Sequence, residues 1–549
     1  MHRSALLAAV LFLSGCSLFR GGTLGETIEL FAEGSEEVLR DTLRTPRGAP
    51  RVLVIALDGV GDGVLKEQLD AGAMPRLAAL LGAPQSEGAQ GGRLWAHAYA
   101  SPEAVAVFPS ETAAGWAAVF TGRGGAQTGV VGNEWFDRDS LKVYAPVPLS
   151  VETFEQTLAV YTDDFLGQQI QTPTLYERAD VRAHVSQAFV YRGADVLNRP
   201  DLNDFGELVE GAFQSIFGGA EEAFEELDDD AAEGVSSSLK RHGVPDLQVV
   251  YFGGPDLAAH GGGPLAQRDY MREETDPDIG RVLDDFAARG ALRDTWVVVV
   301  ADHGHTETLG EESQSLGEAA RALMRGAGRN VLEPTLDPDS SEAFDAVLTV
   351  NEAAAFVYLA DRAACDSVCD WTRPPDLERD VLPVARAFRD AAAADTTAAD
   401  SLARPLAGAV ELVLARVSVR GESVPFRVLD GDRLVSVADY VARHPELDAV
   451  EFERRLGWLT DGPLGHRAGD VLLLANAGEG RLLAERFFFG AGGASGHGSA
   501  SRSDSVIPFV VARPSASGAE IRARVRSAVG ERPTQLDVTD LILNLLEVE

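Results

Sequence analysis

Apolar residues along the chain are concentrated in short runs separated by longer stretches of mixed character. The first run, residues 52–57, is aliphatic and largely β-branched, and it ends at Asp58-Gly59; this predicts a buried parallel strand with Asp58 at its carboxyl end. Further strands are predicted at residues 185–191, 247–252, 296–301, 355–359, 471–475 and 507–512. Most are separated by helix-length segments, so we expect an α/β fold whose mainly parallel sheet has helices on both faces. Such sheets bind ligands at the carboxyl ends of their strands.

Other segments define the expected domain organisation. Residues 21–50 are a lead-in and linker, so the catalytic domain is expected to span 51–549. Residues 200–240 are acidic and helical in pattern, with a charged run typical of a solvated face. Residues 310–467, rich in Ala, Asp and Arg, predict an inserted cap subdomain over the active edge of the sheet. Residues 535–546 predict a capped amphipathic helix that closes the fold.

The N-terminus has the pattern of an export signal. Met1-His2-Arg3 is a basic start, residues 6–13 are apolar, and Leu13-Ser14-Gly15-Cys16 follows at a cleavage position. These four residues resemble a bacterial lipobox, which implies cleavage before Cys16 and lipid attachment to its thiol, with residues 1–20 as signal peptide and start of the tether. An exported, lipid-anchored envelope protein is expected, periplasmic and, from Ser17, at the outer membrane. An ordinary signal peptide with an unrelated cysteine is the alternative.

Charge restricts the partners that the protein can bind. The 549 residues include 48 basic and 85 acidic side chains, a formal net charge of −37. This argues against nucleic-acid backbones and anionic bilayer surfaces as partners, because both are negatively charged. A small anionic substrate remains compatible, since local metal ions can meet its charge. After residue 20 no apolar stretch is long enough to span a bilayer, so membrane contact is expected through the N-terminal lipid alone.

Two cysteines follow the N-terminal segment, Cys365 and Cys369. In an exported protein they can pair if the loop between them allows it, and two free thiols on a helix face are the alternative. A zinc site built on them is not expected, because the chain has no further cysteine and its histidines lie elsewhere.

Three short histidine motifs lie beside predicted strands or in loops. Asp256 and His260 follow the strand at 247–252 and, four residues apart, share one helical face. Asp302-His303 follows the strand at 296–301, and His497 lies in a Gly/Ser-rich loop. Each motif alone is more often structural. Together with Asp58 and Thr112 they form an oxygen and imidazole set suited to two divalent cations, zinc first.

These motifs resemble the alkaline phosphatase superfamily, and within it the nucleotide pyrophosphatase/phosphodiesterase (type I phosphodiesterase) branch. The resemblance runs in family order from about residue 51 to the C-terminus. It is carried by Leu57-Asp58-Gly59, Phe108-Pro109-Ser110-Glu111-Thr112, Phe120-Thr121-Gly122, Gly129-Val130-Val131-Gly132-Asn133, Pro255-Asp256 with His260, Asp302-His303-Gly304 and Gly496-His497-Gly498.

The resemblance implies a phosphohydrolase that cleaves phosphodiester or nucleotide pyrophosphate bonds. One metal would be held by Asp256, His260 and His497, and the other by Asp58, Asp302 and His303. Thr112, between them, would be the nucleophile and form a phosphothreonine, since a cation can stabilise its alkoxide without a general base. Thr112 also opens a predicted helix at 113–120, whose N-terminus favours a phosphoryl anion. Asn133 would contact a non-bridging phosphate oxygen.

Departures from the family pattern bear on the substrate. Glu111 stands where relatives often carry Lys, and Ala113-Ala114-Gly115-Trp116 replaces a more polar run. Arg192 lies near the position of a phosphate-gripping arginine in some monoesterase relatives, although Val190 stands where a lysine would accompany it. His305 is left out of the ligand set, as an outer partner or a solvent-facing side chain.

Several other functions are compatible with parts of the sequence. A phosphomonoesterase on the same site is the close alternative. A sulfatase is disfavoured because neither Ser110 nor Thr112 has the Pro-Arg context of a formylglycine precursor, and a phosphoglycerate mutase because that branch is cytosolic and uses serine. A non-catalytic binding lipoprotein is a less favoured alternative from another class. The sequence leaves the natural substrate and the oligomeric state open.

Overall fold

A computed structural model describes residues 36–85, 92–146, 164–199, 221–332, 344–365, 368–395, 401–490 and 493–548. The predicted signal peptide with Cys16 lies outside the described residues, so lipidation and export stay predictions. In the described part of the chain no helix has both the length and the apolar character needed to cross a membrane. The structure joins Cys365 and Cys369 in a disulfide, one of the two states that the sequence left open.

The strands are β1 Glu36–Val38, β2 Arg51–Leu57, β3 Arg93–Trp95, β4 Ala98–Ala100, β5 Ala104–Val105, β6 Trp135–Asp137, β7 Lys142–Tyr144, β8 Ala183–Ser186, β9 Val196–Asn198, β10 Leu247–Phe252, β11 Thr295–Ala301, β12 Thr306–Glu307, β13 Ala346–Asn351, β14 Ala354–Leu359, β15 Val410–Ala415, β16 Arg427–Asp430, β17 Arg433–Val435, β18 Val471–Ala475, β19 Ser495–Gly496, β20 Val506–Ile507 and β21 Phe509–Ala512.

The α-helices are α1 Asp62–Asp70, α2 Pro75–Leu81, α3 Thr112–Val119, α4 Gly125–Thr128, α5 Phe165–Gln169, α6 Leu175–Ala179, α7 Glu221–His242, α8 Gly254–Tyr270, α9 Asp276–Ala288, α10 Gly317–Gly326, α11 Leu382–Ala392, α12 Val437–Arg443, α13 Phe452–Thr460, α14 Arg502–Ser505, α15 Gly518–Val529 and α16 Val538–Leu545. The last of these, preceded by a 3₁₀ turn at Gln535–Asp537, confirms the predicted C-terminal helix.

A nine-stranded sheet forms the centre of the protein, in the order β1-β9-β8-β10-β2-β11-β21-β4-β3. Its five central strands, from β9 to β11, are parallel, and the outer pairs are antiparallel. The expected α/β fold is confirmed: the five parallel strands are the larger part of this sheet, and antiparallel strands extend it at both edges. The segment at 507–512 forms the end of β20 and all of β21. The chain enters β21 from the edge where the parallel strands end, so β21 runs antiparallel to its neighbour β11.

A second, six-stranded sheet has the order β13-β14-β18-β15-β16-β17 and is antiparallel throughout. The predicted strands at 355–359 and 471–475 belong to it, so assigning them to the parallel sheet was wrong. Their apolar runs identify a buried strand but not its partner, and the two-residue connection between β13 and β14 makes an antiparallel hairpin. Helices α10 and α11 cover this sheet through a separate apolar cluster that includes Met324 and Phe388.

Candidate metal centre

Three neighbouring parallel strands bring much of the site together. β2 lies between β10 and β11, and the last residues of the three strands, Phe252, Leu57 and Ala301, are in register. The segments that follow therefore reach one edge of the sheet, as predicted for an α/β fold. They carry Asp58, Asp302 and His303 in loops, and Asp256 and His260 one turn apart on α8.

The other two predicted residues arrive from outside these strands. Thr112 is the first residue of α3, a helix whose eight side chains are all buried. Gly115 in this helix packs against Asp302, where an added Cβ would lie 2.7 Å from the Asp302 Cβ. The lack of a side chain at Gly115 thus allows α3 to pack closely against Asp302. His497 follows β19, which pairs with β12 and so returns the chain to the segment after His303.

The first group of facing side chains is Asp256, His260 and His497. Nδ1 of His260 lies 3.0 Å from the Ser495 carbonyl and Nδ1 of His497 lies 3.2 Å from the Ser110 carbonyl. Because carbonyls only accept, each Nδ1 carries the proton and each Nε2 has a bare lone pair. These two Nε2 atoms are 3.2 Å apart, close to the separation of about 3.3 Å that two imidazoles on one tetrahedral zinc would have. The pair therefore fits a shared cation.

The second group is Asp58, Asp302 and His303. Asp58 Oδ1 and Asp302 Oδ2 are buried without a hydrogen-bond partner in the described structure, and they lie 3.5 and 3.4 Å from His303 Nε2. His303 Nδ1 lies 3.1 Å from the Gly304 carbonyl. Trp116 and Tyr251 donate to the other Asp58 oxygen. Two unpartnered oxygens and a lone pair converge, a donor set that suits a second divalent cation.

Burial makes this cluster electrostatically unfavourable without a cation. It raises the pKa of Asp58 to about 7, with repulsion from Asp256 adding to the effect. Burial and then Asp58 raise the pKa of Asp302 well above its usual value. Burial lowers the pKa of His303 to about 3 and that of His497 well below its usual range. At neutral pH the imidazoles of His303 and His497 are therefore neutral and free to bind a metal, whereas the carboxyls of Asp58 and Asp302 resist being ionised together.

Zinc binding to the metal-free protein is expected to release protons at about pH 6, because the Asp58 carboxyl still holds its proton below its raised pKa of about 7. His303, with a pKa of about 3, is already neutral and releases none. The affinity should therefore rise from about pH 5 to 7, by about tenfold per unit for each displaced proton. Calorimetry in buffers of different ionisation enthalpy measures this release, which should decrease in Asp58→Asn. An affinity that is constant over this range would contradict the assignment.

Thr112 adjoins the second group. Its Oγ1 lies 3.1 Å from His303 Nε2, and the side chain is almost fully buried. The next backbone amide, that of Ala113, donates to Asn133 Oδ1 at 2.9 Å, which holds Asn133 beside the start of α3. The Asn133 Nδ2 group keeps its two protons for other acceptors. The structure thus brings together Thr112, Asn133 and the two predicted ligand groups.

The family model for type I phosphodiesterase / nucleotide pyrophosphatase matches residues 52–376, more than half of the chain. The chain belongs to this family. It is therefore a hydrolase of phosphate ester bonds, within the alkaline phosphatase superfamily, and its family acts on phosphodiesters. No curated protein sequence matches it.

Among solved structures, the chain is similar to murine ectonucleotide pyrophosphatase/phosphodiesterase 5, with 14% identity, coverage of 91% of this chain and 96% of that one, and a TM-score of 0.48. An inactive form of that protein in complex with AMP is similar at 13% identity, with the same coverages and a TM-score of 0.47. Phosphonoacetate hydrolase from Sinorhizobium meliloti 1021, in complex with phosphonoformate, is similar at 16% identity, with coverages of 92% and 100% and a TM-score of 0.46.

Arg192 and His305, whose roles the sequence left open, have defined partners in the structure. The Arg192 guanidinium donates to Glu177 and to the carbonyls of Ile170 and Thr172, so it supports a loop instead of gripping a phosphate as considered. His305 faces the centre rather than solvent: its Nε2 lies 2.7 Å from Asp256 Oδ1. It forms a further facing group with Asp256 and His303.

The tip of the β13–β14 hairpin supports the site and was missed from the sequence. Asn351 accepts from the Glu134 amide at 3.0 Å and donates to the Glu134 carbonyl at 3.1 Å, which anchors the loop after Asn133. Ala353 N donates to the His497 carbonyl at 3.0 Å. The sequence around Asn351 gives no signal for this role, because its partner Glu134 is hundreds of residues away in the chain.

Arg455 on α13 was also missed. Its fully buried guanidinium donates to the Ala106 and Val107 carbonyls, each at 2.9 Å, and to Ser110 Oγ at 2.6 Å. These contacts hold the segment that leads into Thr112. An arginine in an amphipathic helix usually predicts a solvent-facing side chain, so its burial could not be foreseen.

Proposed function

We propose that this hydrolase is a two-zinc phosphodiesterase that cleaves its substrate through a phosphothreonine at Thr112. The observation that carries the proposal is the convergence of two side-chain triads beside the Thr112 hydroxyl. Both supply bare imidazole nitrogens, and the second also supplies the unpartnered oxygens of Asp58 and Asp302. One ion would be held by Asp256, His260 and His497, and the other by Asp58, Asp302 and His303. Thr112 would lie between the two.

The bound ions would supply Lewis-acid stabilisation of the threonine alkoxide and of the departing oxygen. In the first step Thr112 Oγ1 forms a bond to phosphorus while the bond from phosphorus to the leaving alcohol breaks. In the second, water attacks phosphorus, the bond to Oγ1 breaks, and the hydroxyl is regenerated with a phosphomonoester as product. Each displacement is in line. The N-terminus of α3 and the Asn133 Nδ2 group would bind the phosphoryl oxygens and hold the substrate in place.

Support for a diester over a monoester comes from Arg192. A monoester dianion carries one more negative charge than a diester, and gripping it generally requires an added cationic side chain. Arg192, the candidate for that role, is held by Glu177 and by loop carbonyls. A phosphomonoesterase on the same site is therefore the second choice.

Comparing rates on three substrates tests this choice. The purified protein with zinc is expected to hydrolyse bis-p-nitrophenyl phosphate with a kcat/KM at least about tenfold above that for p-nitrophenyl phosphate, equal to about 1.4 kcal/mol of transition-state preference. A nucleoside triphosphate separates pyrophosphate cleavage from diester cleavage. Chelator-treated protein is the control for contaminating phosphatases. A higher kcat/KM for the monoester would make the monoesterase the correct function.

A further inference from the structure

Glu111, the residue before the proposed nucleophile, is completely buried. Its side chain is 0% exposed, and in the described structure both carboxylate oxygens lack a hydrogen-bond partner. A carboxyl buried without partners is unfavourable unless some state of the protein uses it.

The group beside Glu111 is the imidazole of His497. Oε2 of Glu111 lies 3.5 Å from His497 Nδ1, the ring nitrogen that also faces the Ser110 carbonyl at 3.2 Å. His497 Nε2, on the other side of the ring, faces His260. Gly498 makes room for the carboxylate: it has a φ of +84°, and an added Cβ would lie 2.3 Å from Glu111 Oε1.

We propose that Glu111 is a positioning residue that acts through His497 on the zinc ion bound by Asp256, His260 and His497. This inference rests on the proposed function. A cation on Nε2 makes the Nδ1 proton a stronger donor, and a carboxylate beside that proton fixes the ring orientation and increases the basicity of Nε2. His260 and His303 have only backbone carbonyls as the described partners of their Nδ1 atoms. Glu111 thus distinguishes the His497 ligand from the other two.

Metal titration of variants tests this role without measuring activity. Full-length protein is stripped with a chelator and titrated with zinc against a chromophoric competitor, and with cobalt to record its absorption spectrum. Glu111→Ala is expected to weaken one of the two zinc ions by about 10- to 100-fold and to change the cobalt spectrum. Glu111→Gln, which keeps a weaker neutral acceptor, should lie between Glu111→Ala and the wild type. The affinity of the other ion should be unchanged.

Glu352→Gln is the control for charge. Its carboxylate interacts electrostatically with His260 and Asp256 but belongs to the hairpin tip, so the variant removes a nearby negative charge without removing the group beside His497 Nδ1. It is expected to weaken zinc binding much less than Glu111→Gln does. Circular dichroism of the metal-free proteins verifies that each variant is folded.

Two results would overturn the inference. One is that Glu111→Gln binds both zinc ions with wild-type affinity. This variant conserves side-chain size, so it tests the inference even if Glu111→Ala does not fold. The other is that Glu352→Gln and Glu111→Gln weaken zinc binding equally, which would show that the effect comes from the acidic surroundings in general. A wild-type protein that binds no zinc would instead overturn the proposed function, before the variants are compared.

Discussion

Thr112→Ala is expected to lower kcat on bis-p-nitrophenyl phosphate by at least about a thousandfold, because the variant has no oxygen to form the phosphoenzyme. The loss should appear in kcat and kcat/KM alike, since the side chains proposed to hold the ions and the substrate remain. Folding should be little affected: the Thr112 hydroxyl contacts His303 Nε2 and does not cap α3. Steady-state kinetics with metal analysis of the same samples measure the effect.

Two variants serve as controls for this result. Thr112→Ser keeps a primary hydroxyl and should retain measurable turnover. Thr121→Ala removes a buried threonine at the end of the same helix, whose hydroxyl donates to the Ala117 carbonyl at 2.6 Å. It should cost about 1 kcal/mol of stability and leave kcat largely intact. Turnover in Thr112→Ala within about tenfold of wild type would exclude Thr112 as the nucleophile.

Removal of the metal ions is expected to abolish turnover and lower the melting temperature by several degrees. Ions present at a thousand times their dissociation constant add about 4 kcal/mol to the stability of the folded state. In the metal-free protein no cation stabilises the ionised forms of Asp58 and Asp302, whose raised pKa values show that ionisation of these buried carboxyls is unfavourable. Chelation followed by zinc readdition should restore both activity and melting temperature.

Ligand variants separate the two groups. His497→Ala, in the first group, and Asp302→Asn, in the second, are each expected to reduce the zinc content from two ions towards one and to lower kcat by at least about a hundredfold. His97→Gln is the matched control, because His97 Nδ1 contacts the Ala516 carbonyl and takes no part in either group. Two zinc ions retained in both ligand variants would contradict the assignment of the groups.

The predictable parts of the site were those encoded locally. Asp58 and Asp302 could be placed because each directly follows an apolar run, and adjacent parallel strands end at the same edge. Asp256 and His260 could be paired because a four-residue spacing puts both on one helical face. The helix predicted at 113–120 is α3, which begins one residue earlier, at Thr112.

The remaining features depend on contacts between distant parts of the chain. The strand at 355–359 has the same composition whether it joins the parallel sheet or the second sheet, and only the partner decides. Asn351 and Arg455 gain their roles from loops that fold against them. The contact of Glu111 with His497 joins residues far apart in the chain, so the sequence around Glu111 does not reveal it.

The stereochemical course at phosphorus tests the central claim most directly. A chiral phosphorothioate diester of known configuration, hydrolysed in ¹⁸O-labelled water, gives a monoester whose configuration reports the number of displacements. Attack by Thr112 followed by attack by water inverts the phosphorus twice, so the account predicts overall retention. Retention does not require the phosphothreonine to accumulate. Overall inversion would show that water attacks the substrate in a single step and would contradict a covalent intermediate on Thr112.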